Sequence, residues 1–263
     1  MRIEDLFRTA KPFIGMVHLL PLPGSPRYGG ELGPVLERAL GDARTLAEGG
    51  ADGLIVENFG DVPFHKYVEA DTVAAMTLAV SEVVRAVEIP VGVNVLRNDA
   101  KAAMSIAAVT GARFIRVNVH TGAMVTDQGI IEGRADETLR YRRALGADVA
   151  IFADVFVKHA ARLGDQTLEQ AARDTALRGC ADALITSGAG TGETTDLDDV
   201  RRVKAAVPHA AVFVGSGVKA ENVAEVLRVA DGVIVGTGLK VDGRVENPVD
   251  LERVREFRAR IRS

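Results

Sequence analysis

Short β-branched runs alternate with longer amphipathic stretches from one end of the chain to the other. The runs are IGMVHL (14–19), GLIVEN (53–58), PVGVNVL (90–96), FIRVNVH (114–120), VAIFADVFV (149–157), ALITS (183–187), AVFVGSG (211–217) and GVIVGTG (232–238). Apolar residues recur at helical spacing over 35–49, 70–87, 100–110, 136–145, 168–179, 196–206, 220–229 and 249–261. Gly49-Gly50, Gly111, Gly146 and Gly179 stand where helix C-caps belong, and Asp71 and Asp196 where N-caps belong. A short amphipathic helix is expected ahead of the first strand, with Ile3, Leu6 and Phe7 on one side.

Eight strands in strict alternation with eight helices pair in parallel, because each crossover returns the chain to the same end of the sheet. An open doubly wound sheet and a closed barrel both satisfy that rule. The count of eight and a repeat of about 33 residues favour the barrel. No Gly-x-Gly-x-x-Gly follows the first strand, where a dinucleotide-binding sheet carries it. The expectation is one α/β domain over 1–263, a (β/α)8 TIM barrel.

Along a barrel strand, alternate residues face the helices and must be apolar, and the others face the lumen. In FIRVNVH the apolar set is Ile115, Val117 and Val119, which sends Arg116, Asn118 and His120 inward. In VAIFADVFVK the outward set is Val149, Ile151, Ala153, Val155 and Val157, so Phe152, Asp154, Phe156 and Lys158 face inward. The same parity turns Asn94, Glu57 and His18 inward. Polar groups in a lumen cost free energy unless bonded or in use. These gather at C-terminal strand ends, the face on which barrels of this class keep their active sites. Glu57, Asn118, His120, Asp154 and Lys158 are the catalytic candidates; His18, Asn94 and Arg116 are expected to bind substrate.

The last two strands both end in Gly-Ser/Thr-Gly: Gly215-Ser216-Gly217 and Gly236-Thr237-Gly238. Glycine lets backbone N–H groups approach an anion closely, and a helix start adds unpaired donors. The helical stretch just past Gly217 supplies that start, with Lys219 adding charge where a Thr-like N-cap is expected. The pair is predicted to form a phosphate cradle. The glycine- and hydroxyl-rich loop 186–199 reads as its lid or third wall, with Ser187 and Gly188 as ligands and Glu193 turned away from the anion.

Two loops and one lysine add chemistry. The proline-rich loop 18–30 either brings Arg27 and Tyr28 over the barrel mouth or serves only to cover the barrel top or form a subunit contact. Glu57, Asn58, Asp61 and His65 are the residue types a divalent metal takes, without a tight ligand motif among them. No cofactor is expected. Lys158 either forms a Schiff base or pairs with Asp154, four residues before it and facing the same way; the pair is favoured, as a substrate clamp.

Composition narrows the setting. With a net charge of −4 and interspersed acids and bases, the chain lacks the basic face that nucleic acid requires. The one cysteine, Cys180, excludes an internal disulfide framework and is expected to be packing. No apolar run approaches the roughly 18 residues of a membrane span, and the N-terminus does not read as a secretory signal. A cytoplasmic homo-oligomer is expected.

Seven segments, PFIGMVHLLPLPGSP, GADGLIVENFGDVPF, FIRVNVHTGAMVTDQGIIEG, ADVFVKHA, ITSGAGTG, VFVGSGV and GVIVGTGLKVDGRVENPVD, resemble signatures of the BtpA/SgcQ family over essentially the whole chain. The resemblance implies a phosphate-binding (β/α)8 barrel and leaves the reaction open. The functional expectation is an enzyme acting on a small phosphorylated metabolite, a sugar phosphate or a nucleotide-derived one, as a lyase or isomerase ahead of a hydrolase. The alternative is a non-catalytic assembly or stability factor, of the kind the family's link to photosystem I biogenesis implies. That role calls for a broad exposed apolar surface instead of a polar lumen.

Overall fold

Each of the eight β-branched runs forms a strand in the computed structural model, which describes residues 3–188 and 195–262. In chain order the elements begin with α1 (Ile3–Phe7), β1 (Phe13–His18), α2 (Gly33–Glu48), β2 (Gly53–Glu57), α3 (Ala70–Ala86), β3 (Val91–Asn94), α4 (Ala100–Thr110) and β4 (Phe114–Val117). They continue with β5 (Ala123–Thr126), β6 (Gly129–Glu132), α5 (Ala135–Ala144), β7 (Ala150–Asp154), β8 (Ala161–Arg162), α6 (Leu168–Arg173) and β9 (Ala183–Thr186). Last come α7 (Leu197–Ala206), β10 (Ala211–Val214), α8 (Val223–Val229), β11 (Gly232–Val235) and α9 (Leu251–Arg262). Strands β1, β2, β3, β4, β7, β9, β10 and β11 pair in parallel and close into a barrel. The architecture is the expected TIM barrel.

Strand parity sorts the core into two shells. Outward residues such as Ile115, Val117, Ile151 and Val233 pack against the helices in one large cluster. Inward residues Ile14, Met16, Ile55, Phe114, Phe152, Ile185, Phe213 and Ile234 form a second cluster that fills the lower lumen. Helix α1 closes the bottom. Its Phe7 ring stands edge-on to Phe114 at 5.6 Å and to Phe152 at 6.1 Å. Large rings fit because small residues face them: a Cβ on Gly92 would come within 2.4 Å of the Phe114 ring.

The strict alternation breaks in one place. Strands β5, β6 and β8 form a separate antiparallel sheet, joined by a hairpin in which Gly129 takes φ 81°. Met124 and Ile131 from its buried face pack on Val119 and Val157. Helix six runs on from α6 through one π-helical turn, Asp174–Arg178. There the left-handed residue is Cys180 (φ 50°) and not Gly179, and Cys180 is exposed, which corrects the expectation that it packs. Asp196 caps α7 as expected, whereas the N-cap position of α3 is Glu69 and Asp71 lies inside the helix. No helix among the described residues is long and apolar enough to cross a membrane.

The Phe7 plug makes the first test. Phe7→Ala leaves a void beneath three rings and is expected to cost about 3–5 kcal/mol, lowering the thermal midpoint by roughly 10 °C. An unchanged midpoint in a calorimetric scan contradicts this account of the lumen.

Candidate active site

Above the phenylalanine layer the lumen turns polar. The strand register sets His18 beside Glu57, Glu57 beside Asn94 and Asn94 beside Arg116. Neighbouring strands lie about 4.8 Å apart, so these inward side chains form one row across four of the eight barrel strands. The Asn94 amide donates to Glu57 Oε2, and His18 Nε2 lies 3.7 Å from Glu57 Oε1. Arg116 reaches the next inward position of β7 and grips Asp154 with both Nε and Nη2, each at 2.9 Å. The Asn118 amide adds a longer bond to Asp154 Oδ2, 3.4 Å. The Arg116 and Asp154 side chains are 3% and 0% exposed, so this fork-to-fork pair is desolvated.

That pairing corrects the expected Lys158–Asp154 clamp. Both oxygens of Asp154 belong to Arg116, and among the described residues no carboxylate comes within ion-pair distance of Lys158. Burial, followed by the repulsion of Arg116, pushes the Lys158 ammonium below the ordinary lysine range. The backbone carbonyl of Lys158 accepts a 2.9 Å bond from Arg97 Nη2, and Arg97 is itself buried. His18 is driven further. Burial, then the charges of Lys240 and Lys158, hold its imidazole well below the usual histidine value, so it is neutral. Its ring lies 4.7 Å from that of Phe59, and its Nδ1 is buried without a hydrogen-bond partner among the described residues.

The two glycine corners face this row across one cavity of about 380 Å³. It is lined by Gly215, Ser216 and Gly217, by Gly236, Thr237 and Gly238, and by His18, Glu57, Arg116 and Lys158 among others. Among the described residues, the amides of Gly217, Thr237 and Gly238 donate to no backbone carbonyl. A 3₁₀ turn, Thr237–Leu239, starts at the second corner. The first corner differs from expectation, because α8 begins only at Val223 and has seven residues. Its bracing is done by Asn222, whose Oδ1 accepts from the Lys219 amide at 2.8 Å and whose Nδ2 donates to the Gly217 carbonyl at 3.0 Å. Thr195 Oγ1 holds the Ser216 carbonyl at 3.1 Å. Behind the second corner, fully buried Lys240 pairs with Asp42 at 2.6 Å, and Asp42 also accepts from the Val249 amide. Lys219 is exposed and lines the cavity rim.

Sequence reasoning missed Arg97, Thr195 and the Asp42–Lys240 pair, whose partners lie far along the chain, and it missed Asn222, whose partners Lys219 and Gly217 are close neighbours in sequence.

Other predicted residues lie elsewhere. Strand β4 ends at Val117, so parity does not extend to His120; its Nε2 meets the Gly179 carbonyl at 2.8 Å, and it does not line the cavity. Asn94, Asn118 and Asp154 stand behind the lining, buried, as supports. Ser187 and Gly188 are not in the lining, and residues 189–194 of the predicted lid, Glu193 included, lie outside the described residues. Arg27 is exposed, and neither it nor Tyr28 lines the cavity; their loop is fastened by the Leu22 amide on Asp61. The possible metal ligands do not converge. Asn58 bonds Asp61 and the Leu96 backbone, His65 is exposed, and no three His, Cys, Asp or Glu side chains cluster among the described residues.

The chain belongs to the BtpA family, whose model matches residues 9–263. The photosystem I biogenesis protein BtpA of Synechocystis sp. is 51% identical over 258 residues, which cover 98% of this chain and 90% of that protein. Among solved structures, KGPDC from Streptococcus mutans aligns with a TM-score of 0.61 at 14% identity, covering 97% of this chain and 98% of that one. N-(5'-phosphoribosyl)anthranilate isomerase from Pyrococcus furiosus aligns with a TM-score of 0.59 at 17% identity, covering 96% and 98%. At such identities the structural likeness shows the fold.

Two measurements check the electrostatics. Asp154→Asn strands the Arg116 guanidinium in a dry lumen and is expected to cost about 3–5 kcal/mol in urea denaturation; a cost under about 1 kcal/mol contradicts a buried ion pair. The second is pH. Burial depresses both His18 and His120 below the ordinary 6.5, so on acidification the unfolded chain takes up protons that the native state refuses. Stability is therefore present above about pH 6.5 and lost as pH falls from there toward the folded values. The thermal midpoint should drop between pH 7.5 and 5.5, and His18→Gln should flatten that slope; an unaltered slope contradicts a neutral buried His18.

Proposed function

We propose that this member of the BtpA family holds the phosphate of a small phosphorylated metabolite, a sugar phosphate or a nucleotide-derived one, and acts on it as a lyase or isomerase. One observation carries the reading: both glycine corners open onto the same cavity as His18, Glu57, Arg116 and Lys158. Main-chain amides at a tight turn suit an anion that needs several short bonds from one side. The phosphate sits on the amides of Gly217, Thr237 and Gly238, which leaves the reacting carbon over the polar row.

Roles follow from what each side chain has left to give. Glu57, aimed by Asn94, is the general base. The neutral His18 imidazole donates to, or accepts from, a substrate oxygen, its tautomer fixed on binding. Arg116 keeps Nη1 outside its pair with Asp154 and, with Lys158, stabilises charge developing on oxygen. Proton removal next to a carbonyl and carbon–carbon cleavage both need such a base facing such donors. The isomerase neighbour is named for a phosphoribosyl-bearing substrate. For the assembly-factor alternative a broad apolar face is needed; among the described residues, exposed Leu78, Val109 and Leu177 lie on separate elements, and Val125 and Ile130 are cross-strand partners.

The test is thermal shift with inorganic phosphate, ribose 5-phosphate and dihydroxyacetone phosphate. A ligand at 100 times its Kd adds about 2.7 kcal/mol. A Cβ on Gly238 would meet nothing closer than 3.5 Å, so Gly238→Ala should fold normally while its methyl crowds the cradle. The expected result is stabilisation of the wild type that Gly238→Ala reduces at least tenfold in affinity. No shift with any of the three, or equal affinity in the variant, overturns the reading.

A further inference from the structure

We infer that Lys158 is the nucleophilic amine of this site and that its substrate is a phosphorylated aldehyde or ketone, joined to Nζ as an imine. The inference rests on reading the glycine corners as the phosphate cradle and names the functional group at the substrate's other end.

Two lysines of this fold, buried Lys240 and half-buried Lys158, differ in what surrounds them. Lys240 is 0% exposed and has a carboxylate, Asp42, at 2.6 Å; its charge is neutralised, and it serves to pin the strand-end turn. Lys158 lines the cavity, and the nearby carboxylates are already committed. Asp154 is held twice by Arg116, and Glu57 is held by Asn94 and faced by His18. Burial and then the charge of Arg116, with a smaller share from Arg97, oppose an ammonium at this place and outweigh the attraction of Glu57 and Asp154. An amine that is desolvated and beside guanidinium groups gives up its proton readily, the condition for lysine to attack a carbonyl.

The backbone under Lys158 is also fixed. Arg97 Nη2 bonds the Lys158 carbonyl at 2.9 Å and the His159 carbonyl at 3.4 Å. Phe156 and His159 on either side both adopt φ 56°, and the Arg162 guanidinium covers the Phe156 ring at 4.1 Å. Non-glycine residues in that region cost free energy unless the surroundings impose them, and such strain gathers at functional sites.

The chemistry balances within the site and water. The neutral Nζ lone pair attacks the carbonyl carbon, and the π electrons move to oxygen, which takes up the proton that nitrogen releases. The carbinolamine then loses its hydroxyl with a second proton as water, leaving a protonated C=N bond. Glu57 takes a proton from the adjacent carbon, or from a hydroxyl whose carbon–carbon bond breaks, and the freed electron pair enters C=N as an enamine. Reprotonation of carbon and addition of water return the product carbonyl and the free amine.

The experiment is borohydride trapping on the full chain, with dihydroxyacetone phosphate and glyceraldehyde 3-phosphate as probes, read by intact mass and peptide mapping. The expected result is a single reduced adduct on Lys158, at least tenfold above the level in Lys158→Met, whose fold is checked by circular dichroism, and suppressed by excess inorganic phosphate. Competitive acylation across pH gives a second readout, in which Lys158 should react at lower pH than the surface lysines. No adduct on Lys158 with ordinary lysine titration overturns the inference, and so does equal trapping in Lys158→Met. If phosphate still stabilises the protein in those cases, the cradle stands without the amine. An adduct on Lys158 that phosphate does not suppress upholds the amine and removes the cradle.

Discussion

A sheet of eight parallel strands that closes on itself brings every inward side chain into one lumen, and that lumen has room for few of them. Phe7, Phe114, Phe152 and Phe213 occupy its lower half as a dry aromatic layer. The polar layer above therefore cannot be hydrated from below, and each of its charges has to find a partner beside it or face the mouth. Asp154 finds Arg116, and Glu57 finds Asn94. What remains for chemistry is whatever this pairing leaves over: one neutral imidazole, one carboxylate edge, and one lysine without a counter-ion among the described residues.

The anion side of the cavity is organised by a different rule. Loops carry function when a rigid scaffold fixes them, and rigidity here comes from side chains that hold backbone atoms. Asn222 and Thr195 hold the carbonyls of Gly217 and Ser216, which leaves the Gly217 amide clear of the loop's internal bonding. The buried Asp42–Lys240 pair ties α2 to the segment after Gly238. A removal of one partner from such a pair costs more than the pair itself contributes, so the second corner is held in one arrangement. Pre-ordered donors reduce the entropy lost when a small anion binds.

Local pattern revealed more of this protein than its partnerships. Period-two alternation was enough to place Arg116, Asp154 and Glu57 inward and Ile115 and Ile151 outward, because closure makes parity a packing constraint. Repetition of Gly-Ser/Thr-Gly at the last two barrel strands marked the corners that share the cavity. His120 was misplaced because alternation holds only while the strand lasts, and β4 stops three residues earlier. The partner of Asp154 was misjudged because spacing along one strand put Lys158 nearest, whereas the register between β4 and β7 set Arg116 within reach. The small sheet of β5, β6 and β8 escaped notice, its four-residue and two-residue strands being too short for periodicity to register.

The account turns on whether main-chain amides at both corners hold one anion. A crystal structure of the protein grown with inorganic phosphate tests that directly. It should place a phosphate with oxygens about 2.7–3.1 Å from the amides of Gly217, Thr237 and Gly238 and with Lys158 Nζ on the far side of the same cavity. Phosphate bound only at surface arginines, or corners turned so that their amides face different spaces, contradicts it.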